Sequence, residues 1–368
     1  MKNIVIISDS FKGTLSSLDI CHLFKDELKD RKDIKPIYIP IADGGEGSLL
    51  SVSFIIPGKF IEVEVKDLYF NKIKTKFYID NGNNAYIESA SCVGLNLAHQ
   101  DNDPGLVTTY GIGEQIKKAI ELGIKRIYVF LGGSASNDGG AGLASALGTT
   151  FYDKNNKPFI PTGLTLKDID HFDICTFPND IEIIALSDVK SPLFGPNGAA
   201  YTFAKQKGAS EEEIVLLDDG LKHLSDLINK YLNKDIANIP GSGAAGGLGG
   251  GLAAFTNAKI ESGIDTFLDL VNFDERIKNA DLVISGEGKL DKQTFEGKVV
   301  DGVASRCLKN HKPLSLIVGV SEIPIEEVKR RYPCVINLYE TNPEHLPFEK
   351  IKNSAKEDYR KVIKILDL

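Results

Sequence analysis

Residues 126–147 read Arg126-Ile-Tyr-Val-Phe-Leu-Gly-Gly-Ser-Ala-Ser-Asn-Asp-Gly-Gly-Ala-Gly-Leu-Ala-Ser-Ala-Leu147. The apolar run to Leu131 has the character of a buried strand. The small and apolar residues from Ala141 to Leu147 suit a tightly packed helix. A strand, a glycine turn and a helix start in that order present backbone N–H groups and the positive end of a helix dipole to an anion. The alternative is a helix cap in which glycines allow close packing. This one loop does not separate the two.

Similar loops recur along the chain. Lys2-Asn-Ile-Val-Ile-Ile7 reads as a first buried strand, and the polar turn Ser8–Ser17 follows it. A second strand, Lys35–Ile41, runs into Ala42-Asp-Gly-Gly-Glu-Gly-Ser48. A strand at Ile181–Leu186 ends in Ser187-Asp-Val-Lys, and one at Ala280–Ser285 ends in Gly286-Glu-Gly-Lys-Leu-Asp-Lys. In open α/β sheets ligands sit at the carboxyl ends of the strands, where all of these turns fall. A carboxylate beside consecutive glycines, as at Asp43, suits Mg²⁺, which takes one or two carboxylates together with substrate phosphates.

Phe60–Val65, Lys72–Ile79 and Asn84–Glu88 alternate apolar and polar residues and read as antiparallel hairpins. From residue 280 onward strands and helices alternate as in a doubly wound parallel sheet, matching the N-terminal pattern. The two ends therefore share one sheet, with the middle inserted. Residues 151–177 read as a polar excursion, and Tyr201–Gly208 as a short basic segment. The glycine-dense stretch 239–255 reads as a loop and helix packed closely on a ligand or a neighbour. It contains Gly241, Gly243 and Gly246 at GxGxxG spacing, but no strand precedes it, so a dinucleotide fingerprint is rejected.

The formal charge of −8 argues against a nucleic-acid partner, whose phosphates need a basic face, but not against a small anionic substrate. Cys21, Cys92, Cys175, Cys307 and Cys334 are scattered and odd in number, which predicts buried thiols in a reducing compartment. Met1 leads into a strand, with no signal peptide, and no apolar run reaches the roughly 18 residues of a membrane span. The expected location is cytoplasmic. Walker A, protein-kinase, GxSxG and HExxH motifs are missing, as is any histidine within these loops. What remains is a phosphate-handling enzyme of small molecules. Phosphoryl transfer needs positioning and charge stabilisation, which such loops supply.

Six segments carry a further signal. Asp9–Ser17, Ala42–Ser48, Gly132–Gly142, Ser187–Gly198, Pro240–Gly247 and Ser285–Thr294 resemble, in order, the signature segments of the type I bacterial glycerate kinase family. Lys289 stands where that family commonly has Arg, and Ser136 where it commonly has Thr. The resemblance implies an α/β fold of two domains: a Rossmann-like parallel-sheet domain of residues 1–59 and 275–368, and an inserted mixed α/β domain of residues 60–274. The active site is expected in the cleft between them.

The resemblance also implies ATP-dependent phosphorylation of D-glycerate with Mg²⁺, giving 2-phosphoglycerate. Alternatives are 3-phosphoglycerate as product, a catalytically silent sugar-acid or nucleotide-binding protein, and, more remotely, a dehydrogenase. Lys12, Asp43 and Asp188 are the expected catalytic residues, with Asp43 and Asp188 as metal ligands. Asp9, Ser10, Gly44, Gly45, Glu46, Gly132, Gly133, Ser134, Asn137, Asp138, Gly286, Glu287, Lys289 and Asp291 are the expected substrate and phosphate contacts. The expected partners are small molecules, with no nucleic acid and no membrane, and with a homodimer as a possible assembly.

Overall fold

Lys2–Ile6 and Leu282–Leu290 lie side by side as parallel strands, Val5 opposite Val283, so the two ends of the sequence do share a sheet. The structure, a computed structural model, describes residues 1–41, 45 and 47–368, apart from the side chain of Glu296. The chain divides into two compact units: Met1–Asp43 with Leu50–Ile56 and Ile264–Leu368, and Gly44–Leu49 with Pro57–Gly263.

In the first unit five strands run parallel in the order Val335–Glu340, Leu314–Ser321, Leu282–Leu290, Lys2–Ile6, Ile34–Tyr38. From Lys2–Ile6 the chain steps outward to Ile34–Tyr38. From Leu282–Leu290 it steps outward in the opposite direction. The loops leaving these two central strands diverge, and a crevice forms between them at the carboxyl edge of the sheet. The helix Ser17–Leu28 starts at Ser16, whose hydroxyl accepts from the Asp19 N–H at 3.0 Å while Asp19 accepts from the Ser16 N–H at 3.1 Å. Its apolar face buries Ile20 and Phe24 against Ile4, Ile6 and Ile284. Tyr359, fully buried on the C-terminal helix, packs edge-on against both Phe24 and Phe11, which fixes the loop after the first strand.

The second unit holds a six-stranded mixed sheet in the order Lys259–Glu261, Glu182–Leu186, Arg126–Phe130, Asn84–Glu88, Lys72–Asp80, Gly58–Lys66. The first four are parallel, and Lys72–Asp80 pairs antiparallel with both Asn84–Glu88 and Gly58–Lys66, the hairpins that period-two alternation predicts. Ile127, Val129 and Leu131 are buried against Ile112, Ile116 and Leu143 of the flanking helices. The segment expected as an excursion folds into a small antiparallel sheet of Pro158–Phe159, Thr150–Tyr152 and His171–Asp173.

Two other readings change. The strand expected to end at Ser285 continues to Leu290, with Glu287 opposite Val318 and Lys289 opposite Val320. Gly286 is there for close approach to the next strand, since a Cβ on it would lie 1.8 Å from the Ile317 carbonyl oxygen. Of the cysteines expected to be buried, Cys175 is exposed and Cys334 half-buried, and all five are free thiols. No helix among the described residues is long and apolar enough to cross a membrane.

Candidate active site

The crevice of the first unit is a cavity of about 370 Å³. Its charged lining comes from the loop after the first strand (Asp9 and Lys12), from the end of Leu282–Leu290 with its following turn (Glu287, Lys289, Asp291 and Lys298), and from Asp358 of the C-terminal helix. The sequence placed five of these seven at the expected site (Asp9, Lys12, Glu287, Lys289 and Asp291), and all five line this one cavity. The Asp9 N–H donates to the Gly286 carbonyl at 2.9 Å, joining the two loops. Asp9 Oδ1 accepts from the Ser10 N–H at 2.7 Å.

Glu287 is held from one side. The Asp291 N–H donates to Thr294 Oγ1 at 3.0 Å, and Thr294 Oγ1 donates to Glu287 Oε1 at 2.6 Å. Asp291 Oδ1 accepts from the Gln293 N–H at 2.9 Å and so caps the turn that carries Thr294. Glu287 is buried, and its carboxyl is pushed up to about 7. Burial is the main cause, opposed by the Thr294 hydroxyl and by the charges of Lys298 and Lys12, and aided by Asp291. Lys289 is exposed and pairs with Glu322 at 2.9 Å and Asp291 at 3.7 Å. Among the described residues Lys12 and Lys298 form no ion pair. Thr294 and Lys298 lie in the polar stretch that follows Ala280–Ser285 in the sequence, but neither was among the expected contacts.

In the second unit the loop after Arg126–Phe130 is built differently from an open anion cradle. Asp138 is fully buried and caps the helix Ala141–Ala146. Its Oδ2 accepts from the Thr109 N–H at 2.8 Å, the Thr109 hydroxyl at 2.9 Å and the Gly142 N–H at 3.2 Å, and its Oδ1 accepts from the Gly140 N–H at 3.1 Å. The helix start is thus already occupied by the loop's own carboxyl group. Burial raises the Asp138 pKa while these four donors pull it down. Ser134 and Ser136 share a hydroxyl contact at 2.8 Å. The Gly132 carbonyl accepts from the Ser89 hydroxyl at 3.3 Å and the Gly133 carbonyl from the Leu95 N–H at 2.8 Å. Asn137 is fully buried, and neither its Oδ1 nor its Nδ2 has a hydrogen-bond partner among the described residues.

Lys207 is the residue the sequence did not single out. It is buried, and its Nζ donates to the Ser136 carbonyl at 2.7 Å. Burial pushes its pKa down to about 7, opposed by the Asp138 charge. Asp188, half-buried beyond the end of Glu182–Leu186, accepts from the Ser262 hydroxyl at 3.2 Å. The Gly45 carbonyl accepts from the Ser48 hydroxyl at 2.6 Å, and the Gly47 N–H donates to buried Glu88 at 2.6 Å. Asp43, Gly44 and Glu46 lie outside the described residues.

The chain is 38% identical over 322 residues to the Glycerate 2-kinase of Escherichia coli (strain K12), covering 86% of this chain and 84% of that one. It is 38% identical over 325 residues to a glycerate kinase of Bacillus cereus (strain ATCC 10987 / NRS 248), again at 86% and 84% coverage. The crystal structure of a Salmonella typhimurium LT2 protein named as a candidate glycerate kinase 2 superposes with a TM-score of 0.83 at 32% identity, over 98% of this chain and 96% of that one. The glycerate kinase family model matches residues 4–366, and the chain belongs to that family of enzymes.

Proposed function

We propose that this kinase transfers the γ-phosphoryl group of ATP to a hydroxyl of D-glycerate, giving 2-phosphoglycerate and ADP. The observation that carries the reading is the composition of the first unit's cavity. It joins lysines, which suit a carboxylate or phosphate, to carboxylates, which suit hydroxyls, at the switch point of a parallel sheet. A small hydroxy acid carries both kinds of group. The name of the Escherichia coli relative supports the 2-position. The free cysteines and the family's small-molecule substrates support a cytoplasmic enzyme.

Lys12 and Lys298 offer mobile point charges to the substrate's anionic groups. Asp9, fixed against Ser10, faces the same cavity and can accept from a substrate hydroxyl. Among the described residues no three His, Cys, Asp or Glu side chains are grouped to cage a metal. Mg²⁺ held by one or two carboxylates and the donor phosphates needs no such cage. Asp188, half-buried at a strand end, fits one such contact. When bound, Mg²⁺ would neutralise charge on the donor phosphates.

The test is ADP release from D-glycerate and ATP-Mg²⁺, with the product consumed by enolase alone or by phosphoglycerate mutase plus enolase. Consumption by enolase alone supports the 2-position. Consumption only with the mutase moves the reading to 3-phosphoglycerate. No ADP release sinks glycerate as substrate.

A further inference from the structure

Glu287 does more in this cavity than line it. It is one of the few buried carboxylates there, only 5% exposed, and it stands on a strand and not on a loop. Gly286 and Gly288 flank it, and both are pressed against the neighbouring strand. A Cβ on Gly286 would lie 1.8 Å from the Ile317 carbonyl oxygen, and one on Gly319 would lie 2.2 Å from the Gly288 carbonyl oxygen. The backbone that carries Glu287 therefore cannot swing. Oε1 is committed to Thr294 at 2.6 Å, whereas Oε2 has no hydrogen-bond partner among the described residues. One oxygen is anchored and the other is available to the cavity. That is the arrangement a general base needs, with its orientation set by a neighbour and its second lone-pair site open to the substrate.

We propose that Glu287 is the general base of the phosphoryl transfer, an assignment that rests on the glycerate kinase reading above. The glycerate hydroxyl oxygen forms its bond to the γ-phosphorus as the bond from that phosphorus to the β,γ-bridging oxygen breaks. The electron pair leaves with ADP, and the hydroxyl proton passes to Glu287 Oε2. Thr294 is the positioning residue for the carboxylate.

The groups facing Glu287 come from every element around the cavity. Lys12 and Asp9 belong to the first loop, Lys289 to the same strand, Asp291 to the turn, Lys298 to the start of the next helix, and Asp358 to the C-terminal helix. Against this mixed set, burial dominates and places the carboxyl near neutrality, where a base combines adequate ionisation with adequate proton affinity. The base must be ionised, so kcat rises with pH through this titration. The Thr294 hydroxyl favours the charged form, so its removal moves the rise to higher pH.

The experiment uses the full chain. Turnover and KM for glycerate and ATP are measured from pH 5.5 to 9 in wild type, Glu287→Gln and Thr294→Val, with melting curves as a check on folding. The expected result for Glu287→Gln is a fall in kcat of roughly 100- to 10,000-fold with little change in either KM. For Thr294→Val, the acid limb of the kcat profile should move up by about one pH unit, because a hydrogen bond to a charged group shifts a pKa by about that much. If Glu287→Gln does not fold, the Thr294→Val profile decides alone. A wild-type enzyme that turns over glycerate, alongside a folded Glu287→Gln with kcat within about threefold of it or a Thr294→Val limb that does not move, overturns the assignment alone. A wild type that releases no ADP with glycerate overturns the functional reading beneath it.

Discussion

Lys207 Nζ donates to the Ser136 carbonyl at 2.7 Å, so a buried lysine side chain holds the middle of the glycine loop that precedes the helix Ala141–Ala146. The lysine is itself anchored, because its own carbonyl accepts from the buried Asn102 side chain at 2.6 Å. Its pKa lies near 7 when folded and at an ordinary lysine value when unfolded. Between those values the unfolded chain binds one more proton than the folded chain, so stability rises with pH across that window. Below pH 7 both states hold the proton and the effect is constant. Lys207→Met has no such proton to bind or release. The wild-type-minus-variant difference in unfolding free energy should therefore grow by about 1.4 kcal/mol per pH unit from pH 7.5 to 9.5. Urea unfolding at three pH values checks this, and parallel curves would sink it.

Gly246 marks where the glycine-dense segment meets the same loop. Its φ is +68°, and a Cβ on it would lie 2.0 Å from the Ser136 carbonyl oxygen, the atom that Lys207 bonds. Its carbonyl accepts from the Gly139 N–H at 3.1 Å. Gly246→Ala would combine left-handed strain with a backbone clash that no side-chain movement relieves. We expect a loss of roughly 2–4 kcal/mol in a urea titration, accompanied by reduced turnover. A variant as stable as wild type would mean that this backbone contact is not made.

The strands were readable in the sequence because each pattern had one physical cause. Period-two alternation gave the antiparallel pair Gly58–Lys66 and Lys72–Asp80, and continuous apolar runs gave the central parallel strands. The turn at Gly286 misled for an equally physical reason. Glycine signals a bend as readily as it signals close strand packing, and only the neighbouring Ile317 carbonyl distinguishes them. Lys207 was unreadable because a lysine in a basic stretch is by default solvated, and its partner is a backbone atom 71 residues away. That Lys12, Glu287 and Asp291 belong to one group was legible from their loops, and they do line one cavity, but the anchoring of Glu287 by Thr294 needed coordinates.

Asp138 offers a test that separates a cap from a substrate contact. Its carboxylate takes four hydrogen bonds, and Thr109 serves both as donor to it and as acceptor from the Leu143 N–H at 3.0 Å. Asp138→Asn keeps the shape but turns an NH₂ toward buried N–H donors. The expected cost is about 2–4 kcal/mol, read as a lower urea midpoint. Thr109→Ser keeps the hydroxyl and should cost under about 1 kcal/mol. A Asp138→Asn variant with unchanged stability but a raised KM would return Asp138 to the substrate.

Lys12 and Lys298 test the cavity from the opposite direction, since neither holds the fold together. Lys12 is exposed, Lys298 is half-exposed, and among the described residues neither is in an ion pair. Lys12→Ala and Lys298→Ala should each leave the unfolding free energy within about 0.5 kcal/mol of wild type. If each lysine meets an anionic group of the substrate, each loss removes a charge-assisted hydrogen bond, and kcat/KM should fall roughly 10- to 100-fold. Two lysines contacting separate groups should give additive losses in the double variant, and two contacting one group should not. Adding salt should weaken wild-type KM and leave the double variant almost unaffected, because the attraction being screened is then gone. Wild-type kinetics in both single variants would mean that the substrate does not bind at this edge of the sheet.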